Sequence, residues 1–329
     1  MTSIIKVGIS GTGSHVPERV MSNDDFARII DTSDEWIAQR TGIRERRFVA
    51  DGECTSDLSY EAAKLALKDA GIEAADLDLI VVGTVTPDQH LPTVSCQLQE
   101  LLGAPKATAF DVGAACSGFM VALDTAASFI ATGRATNALV IGAETLSRWI
   151  NMEDRGSCIL FGDGAGAAIL QPHDVCGRGE ILNSCLGADG SGFEYIQAPH
   201  GGYRVRPSDD DYDPALDNIM LRGRDVYRFA VNKMTEVIEA MCEGYDRDEI
   251  ALLVPHQVNQ RIIESALTKL EWDADRCVVN IDKYGNTSAA SVPIALDEAC
   301  REGRLKSGDL AVLVAFGAGL TWGGALVRW

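Results

Sequence analysis

Long apolar runs are missing from this chain. None of its 329 residues lies in a stretch that reaches the ~18 consecutive apolar positions of a membrane-spanning helix, so no span is expected. Met1 to Ser10 holds one lysine and no signal-peptide pattern. Nine cysteines are present, yet none forms a CxxC pair or a Cys/His ligand spacing. That excludes a disulfide framework and a zinc site, and no metal is expected. A reducing, cytoplasmic setting fits. Positive charge is scarce: 29 Lys and Arg face 48 Asp and Glu, for a net charge of -19. Nucleic acid is thereby excluded as a partner, and an acidic protein partner would have to dock on a local basic patch. Gly11-Thr-Gly-Ser14 lacks the third glycine of a dinucleotide fingerprint, with Val16 in its place, and reads as a turn. Gly162-Asp-Gly-Ala-Gly166 lacks the Lys-Ser/Thr of a phosphate loop and reads as close backbone packing.

What remains is ordinary globular composition, 46% hydrophobic and 23% charged, enough for one large or two fused domains. The chain is organised around Phe110-Asp-Val-Gly-Ala-Ala-Cys-Ser-Gly-Phe119. Ala107 to Val112 reads as a short buried strand, broken at Gly113-Ala-Ala115. A helix follows from about Ser117 to Thr132, with Phe119, Met120, Leu123, Ala127 and Ile130 on one face. Cys116 stands at its head, among free backbone N–H groups and the positive end of the macrodipole, which favours thiolate. A buried structural cysteine satisfies the same pattern, so a nucleophile needs further partners.

The second half supplies them by repeating the first. Leu79-Ile-Val-Val82 is answered by Ala251-Leu-Leu-Val254, a strand that delivers His256. Cys277 to Ile281 reads as a strand and Asn286 stands where Cys116 stood. Gly133-Arg134 ends the first helix and Gly303-Arg304 the second, at equal distance from Cys116 and Asn286. Each helix is followed by an apolar strand and then a Gly-Ala-rich one, Gly166 to Leu170 and Gly324 to Arg328. Matched spacing over several elements points to a duplicated α/β unit, residues 1–176 and 177–329, with Cys116, His256 and Asn286 in a central cleft. Gly187 to Asp217, with Gly201-Gly202 and an acidic run, reads as a surface excursion between the halves.

Near the N-terminus, Thr32-Ser-Asp-Glu-Trp36 opens a helix with Ser33 as its N-cap. Trp36 and Arg40 share one face of it, a natural clamp for an adenine or a phosphate and equally an ordinary surface contact.

Four motifs together, Gly113-Ala-Ala-Cys-Ser-Gly118, Val254-Pro-His-Gln-Val-Asn259, Gly285-Asn-Thr-Ser-Ala-Ala-Ser291 and Ala315-Phe-Gly-Ala-Gly319, resemble β-ketoacyl-acyl carrier protein synthase III. Asp31-Thr-Ser-Asp-Glu-Trp36, Arg40-Thr-Gly-Ile-Arg44 and Asp154-Arg-Gly156 extend the likeness over essentially the whole chain. The resemblance implies an α/β thiolase-like fold, a five-layered αβαβα sandwich of two duplicated halves. It implies a decarboxylative condensation of an acyl-CoA primer with malonyl-acyl carrier protein through an acyl-cysteine on Cys116, the first step of fatty acid synthesis. Coenzyme A thioester enters as a substrate; no resident cofactor is implied. His256 and Asn286 would be neutral donors for the carbanion step. Elongating synthases use two histidines there, and thiolases a second cysteine, which Gly317-Ala-Gly319 lacks.

By the same resemblance, the backbone N–H groups of Cys116 and Ala318 form the oxyanion hole, with alanine standing where the family has glycine. Trp36 and Arg155 would sandwich the adenine, flanked by Thr32 and Arg40. Gly223 and Asn259 would line the pantetheine tunnel. Arg228, Arg261 and Lys269 match the carrier-protein docking patch. Leu91, Leu146 and Phe161 would bound the acyl pocket, Leu91 acting across a homodimer interface, where leucine in place of phenylalanine implies a deeper floor. A relative that loads an unusual starter unit in secondary metabolism shares these features. A silent binding partner in a synthase complex is disfavoured by the intact triad.

Overall fold

The computed structural model describes residues 4–200 and 202–329, so Gly201 and the first three residues of the N-terminal stretch lie outside the described residues. Nine strands form the main sheet: β1 Val7–His15, β2 Leu79–Gly83, β3 Thr108–Val112, β4 Ala138–Thr145, β5 Asp163–Pro172, β6 Glu180–Ala188, β7 Ile250–Pro255, β8 Leu310–Gly317 and β9 Thr321–Arg328. Their order is β7-β8-β9-β6-β1-β5-β4-β2-β3. The longer helices are α1 Asp34–Thr41, α2 Thr55–Ala70, α3 Val94–Leu102, α4 Gly118–Ala131, α5 Gly223–Met241, α6 Gln260–Leu270 and α7 Ser291–Arg301.

The duplication is visible in the pairing. In the first half β2 runs parallel to β3 and β4, and β5 runs antiparallel to β4 and β1. In the second half β7 runs parallel to β8, and β9 runs antiparallel to β8 and β6. The half-sheets meet edge to edge at a single pair, Gly8 and Glu180.

Strand periodicity then builds the layers. Leu79, Val81, Ala138 and Val140 join Leu252, Val254, Ala311 and Leu313 in one core cluster with α4 and α7 side chains such as Phe119, Leu123, Val292 and Leu296. The alternate residues Ile80, Val82, Leu139 and Ile141 pack outward on α2 and α3. Leu253, Val312 and Val314 pack outward on α5 and α6. The result is helix, sheet, central helix pair, sheet, helix. The central pair carries the site, because Cys116 precedes α4 and Asn286 precedes α7.

Two expectations are corrected. Gly11-Thr-Gly-Ser14 is not a turn: β1 continues through it with a bulge between Ile9 and Gly11. A Cβ on Gly11 or Gly13 would strike the α2 backbone at Ala66 or Ala62, so the glycines let that helix lie directly on the strand. Cys277 to Ile281 is not a strand: only Leu253 and Cys277 bridge, and Ile281–Tyr284 is a helical turn. The Gln257 side chain takes the place of the ladder. Its amide donates to Val278 O at 2.9 Å and accepts from Asn280 N at 3.0 Å.

Candidate active site

Three loops converge where the sequence places its chemistry. Ala115–Ser117 is a one-turn 3₁₀ segment feeding α4, with Ala115 at a φ of 45°. The Gly317 backbone lies against it; a Cβ there would come within 2.7 Å of Cys116 N. His256 follows β7, fully buried, and its backbone N–H extends the parallel ladder to Val314 O at 2.8 Å. Its ring stands edge-on to Phe316, centroids 5.6 Å apart. Asn286 is 4% exposed and clamped by its backbone, N to Leu160 O at 2.8 Å and O from Gly162 N at 3.0 Å.

The polar atoms are oriented by their partners. Asn286 Oδ1 accepts the Ser288 N–H at 2.8 Å, which settles the amide and leaves its Nδ2 for the cavity. His256 Nδ1 lies 2.6 Å from Ser291 Oγ, while Nε2 has no protein partner among the described residues. Burial holds the imidazole well below its ordinary range, at about 3, so the ring is neutral.

The Cys116 thiol departs from expectation. Burial pushes it up to about 12; the Ser288 hydroxyl and its own backbone N–H pull downward, and the Glu144 carboxyl adds an upward push. Of these influences desolvation is the largest, although the residue is only partly buried and lines the cavity. Glu144 itself is fully buried. It accepts from Thr86 Oγ1 at 2.5 Å, Val85 N at 3.1 Å, Thr84 Oγ1 at 3.2 Å and Ser288 Oγ at 3.3 Å. Burial raises its carboxyl to about 7 against those donors. A carboxylate in the apolar run of β4 is the sequence signal that marks it. The pair Ser288 and Ser291, in the same motif as Asn286, is another.

One cavity of about 440 Å³ joins these groups to the surface. Cys116, His256, Asn286, Gly317 and Phe161 line its inner end, and Trp36, Arg40, Gly223, Asn259 and Arg261 also line it. Asn259 caps α6 through Arg261 N at 2.9 Å and reaches Arg40 O at 3.1 Å, tying α1 to α6. Its walls elsewhere are apolar, with Ile159, Leu160, Leu221 and Phe229.

The family-model description "3-Oxoacyl-[acyl-carrier-protein (ACP)] synthase III" matches residues 110–190, and its C-terminal counterpart matches residues 241–329. The Beta-ketoacyl-[acyl-carrier-protein] synthase III of Caldanaerobacter subterraneus subsp. tengcongensis is 49% identical, covering 100% of this chain and 99% of the relative. This chain belongs to the β-ketoacyl-acyl carrier protein synthase III family. Among solved structures, the 3-oxoacyl-[acyl-carrier-protein] synthase III of Aquifex aeolicus superposes with a TM-score of 0.91 at 44% identity, over 98% of this chain and 100% of that one. The priming β-ketosynthase of the R1128 polyketide pathway gives 0.91 at 35% identity, over 99% and 97%. The chain is a condensing acyltransferase of the type that initiates fatty acid synthesis, and its fold is the five-layered thiolase-like sandwich.

Other family positions are arranged less simply. Arg155 does not face Trp36 across an open slot. Its guanidinium sits 4.6 Å from the indole centroid, with Arg40 at 4.5 Å, and it donates to Asp31 O at 2.8 Å. An adenine between Trp36 and Arg155 needs that half-exposed arginine to swing away. Thr32 is outside the cavity lining, its buried Oγ1 unpartnered among the described residues. Leu146 is buried but does not line the cavity, because its side chain belongs to the turn after β4. Leu91 is 82% exposed and is not among the residues lining the active-site cavity. Ala318 is absent from the positive-φ residues, so its Cβ brings no backbone strain. Arg228, Arg261 and Lys269 are all exposed on α5 and α6. Arg228 pairs with Asp225 and Lys269 with Asn232, while Arg261 has no ion-pair partner among the described residues.

Proposed function

We propose that this enzyme loads an acyl group from coenzyme A onto Cys116 and condenses it with malonyl-acyl carrier protein. The observation that carries the reading is the meeting of one thiol, one neutral imidazole and one oriented amide at the inner end of a single 440 Å³ cavity. Cys116 Sγ attacks the thioester carbonyl, its oxyanion held by the N–H groups of Cys116 and Ala318, and coenzyme A leaves with the thiol proton. The malonyl thioester then loses CO2. The electron pair of the broken C–C bond becomes an enolate held by His256 Nε2 and Asn286 Nδ2. Its carbon attacks the acyl-cysteine, and Cys116 leaves and regains a proton.

Neutral donors suit this second step: an imidazolium would form an ion pair with the carboxylate that has to depart. Arg261, exposed at the mouth and without a carboxylate partner among the described residues, is the nucleus of the patch for the acidic carrier protein. Trp36, Arg40 and Arg155 take the nucleotide end of coenzyme A once Arg155 moves. The boundary at 176/177 between the halves belongs to the same reading. So do a homodimer, in which the exposed Leu91 closes the partner's acyl pocket, and a cytoplasmic setting. A starter unit other than acetyl for a secondary metabolite is the second reading, favoured by the likeness to the polyketide priming synthase.

Intact mass spectrometry after incubation with acetyl-, butyryl-, isobutyryl- and octanoyl-CoA tests it. An adduct of acyl mass, lost in Cys116→Ser, is expected. An adduct that persists in that variant, or maps to Cys96 or Cys158, sinks the assignment.

A further inference from the structure

A neutral imidazole carries its single proton on one nitrogen or the other. For His256 that choice decides what the ring can do. With the proton on Nε2 the ring can donate to a developing oxyanion. With it on Nδ1 the ring turns a lone pair toward that oxyanion and repels it.

Ser291 is the group in a position to choose. It is 2% exposed at the first residue of α7, with its Oγ 2.6 Å from His256 Nδ1 and 2.9 Å from the Ser288 carbonyl. One hydroxyl proton faces two acceptors. The Ser288 carbonyl already accepts the Ser291 backbone N–H, so it is satisfied without the hydroxyl. Nδ1 has no other partner among the described residues. Its shorter contact suits an O–H···N bond.

We propose that Ser291 donates its hydroxyl proton to Nδ1 of His256 and thereby fixes the Nε2–H tautomer that decarboxylation needs. Ser291 never meets the substrate; it is a positioning residue acting through the ring. This rests on the function proposed above and deepens it. It assigns the serine to the second half-reaction alone, because acyl transfer to Cys116 does not draw on an Nε2–H donor.

The test pairs a spectrum with the two half-reactions. Protein labelled with nitrogen-15 histidine distinguishes a pyridine-like from a pyrrole-like ring nitrogen, and His256→Ala identifies the signal by its loss. In the wild type Nε2 should be pyrrole-like and Nδ1 pyridine-like. Ser291→Ala should lower malonyl decarboxylation by about tenfold or more, short of the ~10²–10³ for losing an oxyanion donor outright. Its rate of acyl-adduct formation should stay within about twofold of wild type on the same reasoning. Ser291→Thr, which keeps the hydroxyl, should restore decarboxylation. A pyrrole-like Nδ1 in the wild type overturns the inference without any variant, as does an equal loss of both half-reactions in Ser291→Ala. A wild type that forms no acyl adduct overturns the underlying function instead, while the tautomer spectrum still reads independently.

Discussion

Exchanging Asn286 for Asp separates the chemistry of the amide from its structural duty. Asn286 does two things: Oδ1 accepts the Ser288 N–H at 2.8 Å, and Nδ2 faces the cavity. Asn286→Ala loses both and leaves a buried N–H unpaired, a stability cost of about 1–3 kcal/mol. Asn286→Asp is isosteric and keeps the Ser288 bond, so the fold and the acyl adduct on Cys116 should survive. It replaces a donor by a carboxylate oxygen where the enolate forms. Removing one such donor costs about 2.7–4 kcal/mol, or ~10²–10³ in rate, and a like charge beside the enolate adds to that. The assay is CO2 release from a malonyl thioester, run beside adduct formation. A second signature follows from burial, which raises a carboxyl pKa. Protonation returns an O–H donor, so decarboxylation by Asn286→Asp should partly recover as pH falls. Near-normal decarboxylation at neutral pH would refute the donor role, and a parallel loss of adduct formation would show that the substitution damages the site at large.

Further outcomes are expected elsewhere. Alkylation of Cys116 by iodoacetamide should quicken steadily with pH and show no plateau near neutrality, because burial holds the thiol at about 12; a plateau around pH 7 would mean that the helix end wins after all. Arg261→Glu should raise KM for the malonyl carrier protein and leave acyl-CoA loading almost unchanged, with the native interaction weakening in salt; equal losses on both substrates would indicate a blocked tunnel. His256 titrates near 6.5 when unfolded and about 3 when folded, so its contribution to stability is present above 6.5 and lost as pH falls toward 3. His256→Gln should flatten that part of the acid-side stability curve, and an unchanged slope would show the ring to be solvated.

The fold was legible because its periodicities are clean. Leu79 to Val82, Ala138 to Ile141 and Leu310 to Phe316 alternate between a central and an outer core, and the matched spacing around Cys116 and Asn286 is the duplication itself. The catalytic trio was legible as motifs for the same reason: each residue ends a strand or opens a central helix. What escaped were effects that only three dimensions produce. Gly11 and Gly13 spell a turn in one dimension, yet they are where α2 lies against β1. Cys116 has the local sequence of an activated thiol, but desolvation at the inner end of the cavity and Glu144, which β4 brings beside it, push the thiol up. Arg155, at the start of the short helical turn Arg155–Cys158, closes on Trp36 of α1, a contact between distant helices that no spacing encodes.

The clearest departure from internal symmetry is also testable. In the first half β3 pairs with β2 over the whole run from Leu79 to Gly83. Its counterpart in the second half, Cys277 to Asn280, bridges to β7 only at Leu253. Val278 and Asn280 are nevertheless buried, at 4% and 3% exposure, so their backbone groups require partners. Val278 N–H keeps one rung to Leu253 O at 2.9 Å and Asn280 O accepts Lys283 N–H at 3.1 Å; the Gln257 side chain serves the other two groups, with Nε2 to Val278 O and to Pro255 O, both at 2.9 Å, and Oε1 from Asn280 N at 3.0 Å. One side chain replaces the missing rungs, and it does so next to His256 and one short turn before the loop that sets Asn286. Gln257→Ala strands two or three buried groups at about 1–3 kcal/mol each, so a loss of roughly 2–9 kcal/mol is expected. Gln257→Leu fills the volume without bonding and should be nearly as damaging, which separates hydrogen bonding from packing. Denaturant midpoints at constant slope measure both. A loss below about 1 kcal/mol in Gln257→Ala would mean that water or a relaxed backbone satisfies those groups, and that the side chain does not stand in for a strand.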